Sequence, residues 1–153
     1  MSRIYNVSTV AQFLVSNMDV LEIFVGSIPV KLREFYIVSD NGTQNTEQSF
    51  AAIISRLAPP ITPGSGGQAV TPVPLRSTDS AASFTARAFD TTPTTGTSYG
   101  DIASGVNIFN GWHYCPTEDL CMVFQPGEAL VISTGGLTSG TNFSAYVTIE
   151  ELA

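Results

Sequence analysis

The sequence predicts an all-β sandwich of about eight strands in a jelly-roll-like arrangement, with one long Pro/Gly-rich loop. Three observations carry that expectation. Short apolar runs recur at close intervals and stop at Gly, Pro, Asn or Asp turn signals. Helical patterning is thin, and no helices alternate with the strand-like runs. The polar balance comes from Thr, Ser, Asn and Gln, because charged residues make up only 12% of the chain. Thr fits a pleated sheet, and Ser and Asn suit turns.

Residues 20–25 (VLEIFV) form the first run and end at Gly26. Residues 30–38 (VKLREFYIV) end at Ser39-Asp40-Asn41-Gly42, where Asn-Gly is a strong hairpin signal. Residues 50–57 (FAAIISRL) form the third. Phe50, Ile53, Ile54 and Leu57 also fall at helical spacing, so 46–57 reads either as a buried strand or as a helical turn or two. Residues 83–89 (SFTARAF) stop at Asp90-Thr91-Thr92-Pro93. Residues 102–109 and 112–115 flank an Asn110-Gly111 turn, and 129–133 come after Pro126-Gly127. The last run is the clearest: Phe143, Ala145, Val147 and Ile149 alternate with Ser144, Tyr146, Thr148 and Glu150. That period of two turns one side inward and the other toward water or a neighbour.

At 153 residues the chain fits a single domain, 1–153, large enough to bury roughly 70% of its unfolded surface. No internal repeat or linker divides it. The exception to the strand pattern is an arm, residues 58–80, inside a stretch (57–80) that holds five of the nine prolines. Loops this long are usually functional or disordered. Its large apolar side chains, Ile61, Val70, Val73 and Leu75, return far less on burial than ordering the arm costs. Pro72 and Pro74 narrow the unfolded ensemble and favour an extended form. The arm therefore reads as a segment outside any ladder. Either 64–67 stays mobile or the extended part rests on another surface, such as another subunit. Ile61, Val70, Pro72, Val73, Pro74 and Leu75 are the candidate inter-subunit contacts.

Six Lys plus Arg stand against thirteen Asp plus Glu, for a net charge of -7. The cations are scattered, which argues against nucleic-acid binding, since that rests on clustered Lys and Arg neutralising phosphates. No apolar run approaches the roughly 20 residues of a membrane span, and the start has no signal-peptide pattern. Synthesis in the cytoplasm of the producing cell is the expectation. Cys115 and Cys121 do not make a disulfide framework, and reduced thiols are expected over a short disulfide or a metal site with His113.

Gly64-Ser65-Gly66-Gly67 lacks the Lys-Ser/Thr ending and the succeeding helix of a phosphate loop, so a turn or hinge is expected. Gly96-Thr97-Ser98-Tyr99-Gly100 matches G-x-S-x-G, but residues 101–111 read as strand and turn, and the only histidine, His113, lies fifteen residues past Ser98. Glu118-Asp119 and Glu150-Glu151 read as solvated turn and terminal charges. With no convincing acid–base pair, no enzyme activity and no cofactor are expected. Tyr99, Trp112 and Tyr114 are the candidate ligand contacts of an alternative binding role, with core packing the simpler reading of Trp112 and Tyr114.

Taken in order, the segments GSGGQAVTPVPL (64–75), STDSAASFTA (77–86), FDTTPTTGTSYG (89–100), GWHYCPTED (111–119), PGEALVIS (126–133) and YVTIEEL (146–152) resemble a family of small virion proteins of tailed bacteriophages and prophages. The resemblance covers about the last ninety residues. It departs from the family at Glu118-Asp119-Leu120-Cys121, where an apolar or proline-rich continuation is usual. It implies a non-enzymatic structural protein located in the virion. Its implied role is a jelly-roll cement or decoration protein whose partners are the major capsid protein of the head and itself, as homo-dimer or homo-trimer. The alternative is a tail- or fibre-associated module for host attachment. On this reading, deleting 64–75 leaves the monomer folded and weakens particle binding.

Overall fold

The computed structural model describes residues 2–14, 18–39, 49–137 and 140–152. The Asn41-Gly42 turn expected from sequence lies outside these residues. Twelve strands are present among them. They are β1 (Arg3–Leu14), β2 (Asp19–Phe24), β3 (Val30–Ser39), β4 (Ser49–Thr62), β5 (Gln68–Val70), β6 (Val73–Pro74) and β7 (Thr85–Asp90). They continue as β8 (Thr95–Asn107), β9 (Trp112–Tyr114), β10 (Val123–Phe124), β11 (Ala129–Gly135) and β12 (Thr141–Glu151). The only helical element described is a 3-10 turn, Glu118–Leu120. The molecule is an all-β sandwich of two antiparallel sheets.

The first sheet runs β10-β3-β12-β1-β6, with β9 also paired to β3; the second runs β5-β7-β2-β11-β4-β8. The long strands change sheets as the chain advances: β1, β3 and β12 lie in the first, and β2, β4, β8 and β11 in the second. Such interleaving places the two sheets face to face, each supplying alternate residues to one core. On β12 the expected alternation holds, with Phe143, Ala145, Val147 and Ile149 buried between half-exposed Ser144, Tyr146 and Thr148. From the second sheet, Leu21, Ile23, Ile54, Leu130 and Ile132 are fully buried. Phe50 of β4 meets Phe143 of β12 edge to face, with ring centroids 4.9 Å apart, and this contact ties the two sheets together.

All eight expected runs are strands. Residues 46–57 resolve, in their described part, to strand and not helix, and β4 runs on past a break in register at residues 59–61 to Thr62, which pairs with Thr95 of β8. The largest departure concerns the arm. Residues 58–80 are not a ladder-free loop: they hold the end of β4 together with β5 and β6. β5 pairs with β7 through Gln68–Ala88, Ala69–Arg87 and Val70–Ala86. β6 pairs with β1 through Asn6–Val73 and Tyr5–Pro74. The surface on which the extended part rests is thus the chain's own sandwich. Edge backbone groups supply the hydrogen bonds that a count of apolar side chains leaves out. Pro74 is tolerated because β6 is an edge strand.

Glu150 and Glu151 also depart from expectation. Glu151 is fully buried and Glu150 nearly so. Glu151 pairs with Arg3 at 2.6 Å and accepts the Ser83 amide at 2.6 Å, joining β12, β1 and the strap that precedes β7. They are internal anchors and not solvated ends.

Candidate functional site

The strap formed by residues 63–84 is fixed at both ends by buried polar contacts. At its start the Gly64 amide donates to Thr94 Oγ1 at 3.0 Å, and the Thr94 amide donates to Asp19 Oδ2 at 2.6 Å. Ser65 forms an isolated antiparallel bridge with Thr92. The Gly67 amide donates to Asp90 Oδ1 at 2.6 Å. Residues 64–67 are therefore a pinned turn, with Gly66 at φ 91° and Gly64 buried. A Cβ on Gly64 would run into Glu22 Oε1, the Thr92 carbonyl and Asp90 Cβ, so only glycine lets the turn lie this close. At its far end the Leu75 amide donates to the Ile4 carbonyl at 2.9 Å, and the Tyr5 hydroxyl donates to the Ser80 carbonyl at 2.9 Å. Phe84 then packs edge to face on Tyr5, centroids 5.5 Å apart.

The candidate contact residues divide by burial. Ile61 packs on a small outer-face cluster of Leu57, Ala129 and Val131, and Val70 packs on the main core. Pro72 and Pro74 are half-buried. Val73 and Leu75 are not covered, with 56% and 60% of their surface exposed. The strap holds its backbone and prolines against the sandwich and turns these two apolar side chains outward.

Beneath the strap lies a group of acids that the sequence did not reveal. Glu22 is fully buried, Asp90 is fully buried and Asp19 is nearly so. Burial, and then the neighbouring Asp90 carboxylate, push the Glu22 carboxyl up to about 9. Held neutral, the Glu22 carboxyl has an O–H to offer the neighbouring Asp90 and Asp19 carboxylates, a hydrogen bond that favours its protonated form. Burial also raises Asp19, and the Thr94 amide partly offsets it. Asp90 differs. Burial would raise it, but the Arg87 guanidinium, bonded to it at 2.7 and 2.9 Å, holds it below the usual carboxylate range. Phe89, at φ 58° and buried, sits just before Asp90 in the left-handed region. Among the described residues no group of His, Cys, Asp or Glu is arranged to hold a metal ion.

A second polar cluster lies on the outer face of the first sheet. The β3–β12 register slips between Thr148 and Ile149, leaving Arg33 as an extra residue, so Arg33 and Glu34 are both half-exposed. Glu34 Oε1 is bonded to the Tyr146 hydroxyl at 2.8 Å and to His113 Nε2 at 2.7 Å. The Tyr146 hydrogen bond, and after it that of His113, holds Glu34 below the usual range. Arg33 pairs with Glu150 at 2.9 Å and also with Glu118, which Lys31 binds as well. Beside this cluster is a shallow trough of about 270 Å³ whose walls include Tyr36, Val38 and Tyr146. The sequence signal for the cluster is the adjacent pair Arg33-Glu34, which breaks the alternation of VKLREFYIV.

The three candidate ligand aromatics do not form one exposed platform. Trp112 and Tyr114 pair with Ile37 and Phe35 and lean on the core; Trp112 meets Phe35 edge to face at 5.6 Å. Tyr99 is 66% exposed, with the Arg56 guanidinium 5.4 Å from its ring centroid. Ser98 of the G-x-S-x-G stretch lies within β8, not at a strand-to-helix elbow, and its hydroxyl donates to Asp101 Oδ1 at 3.4 Å. His113 bonds to Glu34. Cys115 and Cys121 are both free thiols, the second donating weakly to the Thr117 carbonyl. No protein-family model, no curated protein and no solved structure gives a significant match to the chain, so its functional reading rests on its own residues.

Proposed function

We propose that the chain is a non-enzymatic structural protein of a phage virion, a jelly-roll cement protein that docks on the major capsid protein through its strap. The pairing order supports the jelly-roll part. β1-β12-β3 flanked by β9 and β10, facing β2-β11-β4-β8, is the order in which two Greek keys fold over one another. On this reading β5 to β7 are an insertion between β4 and β8 that widens both sheets on one side. The virion part is supported by the ordered resemblance of residues 64–152.

The observation that carries the docking role is the pair Val73 and Leu75. A strap so firmly bonded to its own domain has no internal use for two large apolar side chains in water, whereas a partner surface does. The test is co-sedimentation with capsids stripped of accessory proteins. The wild-type chain should bind saturably at a fixed ratio to the major capsid protein. The double variant Val73→Ser/Leu75→Ser should melt within a few degrees of wild type and bind at least about ten-fold more weakly, the loss expected for two buried aliphatic contacts. Absence of wild-type binding to capsids would sink the proposal and favour a place in the tail.

A further inference from the structure

We infer that β8 is a pairing edge for a second copy of this chain, giving a two-fold dimer in which the second sheets of two molecules join. The proposal stands on backbone geometry and does not depend on the capsid reading. β8 is a 13-residue strand at the margin of the second sheet, bonded to β4 on one side. Among the described residues no strand pairs with its other side. The remaining sheet margins end in β5, β6, β9 or β10, none longer than three residues. Backbone groups of an antiparallel edge point outward at alternate residues, so about six residues of β8 offer unpaired N–H and C=O groups.

Protection of this edge is partial: its pairing with β4 slips at Tyr99-Gly100, where Gly100 takes φ 129°, and again beyond Ala58, but residues 101–107 run in unbroken register. Residues 95–107 contain no Lys, Arg or Pro. Residues 95–101, 103 and 105 are exposed, and a Cβ built on Gly100 or Gly105 would meet nothing within 4 Å. The faces of the strand are therefore uncovered at these positions, and among the described residues no strand lies along its free edge.

Three features select a copy of the chain as the occupant. An antiparallel strand is complementary to itself about a two-fold axis, so one edge serves both partners. The molecule carries a net charge of -7 and repels its copies over most approaches, but β8 bears a single carboxylate, Asp101, in its whole length. Finally, Tyr99 stands exposed beside the strand with Arg56 held against its ring, an aromatic–guanidinium pair of the kind that anchors interfaces.

The test is sedimentation equilibrium of the full chain from low- to high-micromolar concentration, paired with hydrogen exchange at both extremes. The expected result is a reversible dimer of 16.2 kDa subunits, with amides of residues 95–107 exchanging more slowly in the concentrated sample and those of β1 and β6 unchanged. Ala103→Lys/Gly105→Lys, at two exposed positions, should raise the dissociation constant at least about ten-fold, although it reduces the net negative charge that opposes association. Val73→Ser/Leu75→Ser, on the strap, should dimerise as wild type does. A chain that stays monomeric, a trimer, or a dimer whose β8 amides show no concentration-dependent protection overturns the proposal. The exchange readout uses the unmodified protein, so misfolding of the lysine variant would not leave the question open.

Discussion

A carboxyl group with no exposure, set beside two other acids, has to give up its charge, and Glu22 does so. Because its pKa rises from 4.5 to about 9 on folding, the folded state holds a proton that the unfolded chain has released. The stability tied to that proton is complete below pH 4.5 and is lost as pH climbs toward 9, at about 1.4 kcal/mol per pH unit. Asp19, also raised, acts in the same direction. Asp90, Glu34 and Glu128 are held below their ordinary values, so their contributions are present at neutral pH and disappear on acidification. Glu22→Gln keeps the shape, removes the titration and should raise stability at pH 8 by up to about 5 kcal/mol while leaving it nearly unchanged near pH 4.5. Urea titrations of both proteins at the two pH values check this; an equal gain at both would contradict it. Gly64→Ala drives a methyl group into the same cluster and should cost about 1–3 kcal/mol, read as a lower melting temperature. Neither effect was legible in the sequence. Glu22 looks like the outward residue of an ordinary half-exposed strand, and only the strap lying over it makes it internal.

Among the elements, legibility tracks the length of the apolar pattern. β2, β3, β4, β11 and β12 each carry several consecutive or alternating large apolar residues, and β7 carries Phe89 after the alternating Ala86 and Ala88; all are apparent from the chain alone. β5, β6 and β10 hold two or three residues each and exist because an edge strand is there to receive them, which is tertiary information. β1 is hard to read for another reason: its inward residues Tyr5, Val7 and Thr9 alternate with Ile4, Asn6 and Ser8, so the inward set includes a threonine and the outward set an isoleucine. The strap shows how a proline-rich stretch can be misread. Its prolines do preclude a central strand, but β6 needs to donate on one side only, and the Leu75 amide does that. Deleting 64–75 therefore has a different expected outcome from the one its composition implies. It would expose Glu22, remove two edge strands and lower the melting temperature, so the point variant Val73→Ser/Leu75→Ser is the proper probe of docking.

For the whole molecule, composition was enough to specify two packed sheets but not their order, because nothing in a single strand names its neighbour. The charge balance was legible as a number and not as a map. Of six cations, Arg3, Lys31, Arg33, Arg56 and Arg87 are each engaged by a carboxylate of the same chain. The acidic excess is therefore left to the rest of the surface, where it limits which faces of two copies can meet. The position of β12 gives the molecule one further property. It lies between β1 and β3 and bonds to both, from Thr141 to Glu151 on one side and from Phe143 to Glu151 on the other. During synthesis β1 and β3 emerge early but have no partner between them until residue 151 has left the ribosome. Such a chain waits, and only a molecule translated through its last strand becomes competent. A version stopped at residue 140 should show no cooperative unfolding transition by circular dichroism, whereas a foldable remnant would show one. A chain without β12 would then carry every strand before it and still leave β1 and β3 bare along the sides that β12 covers.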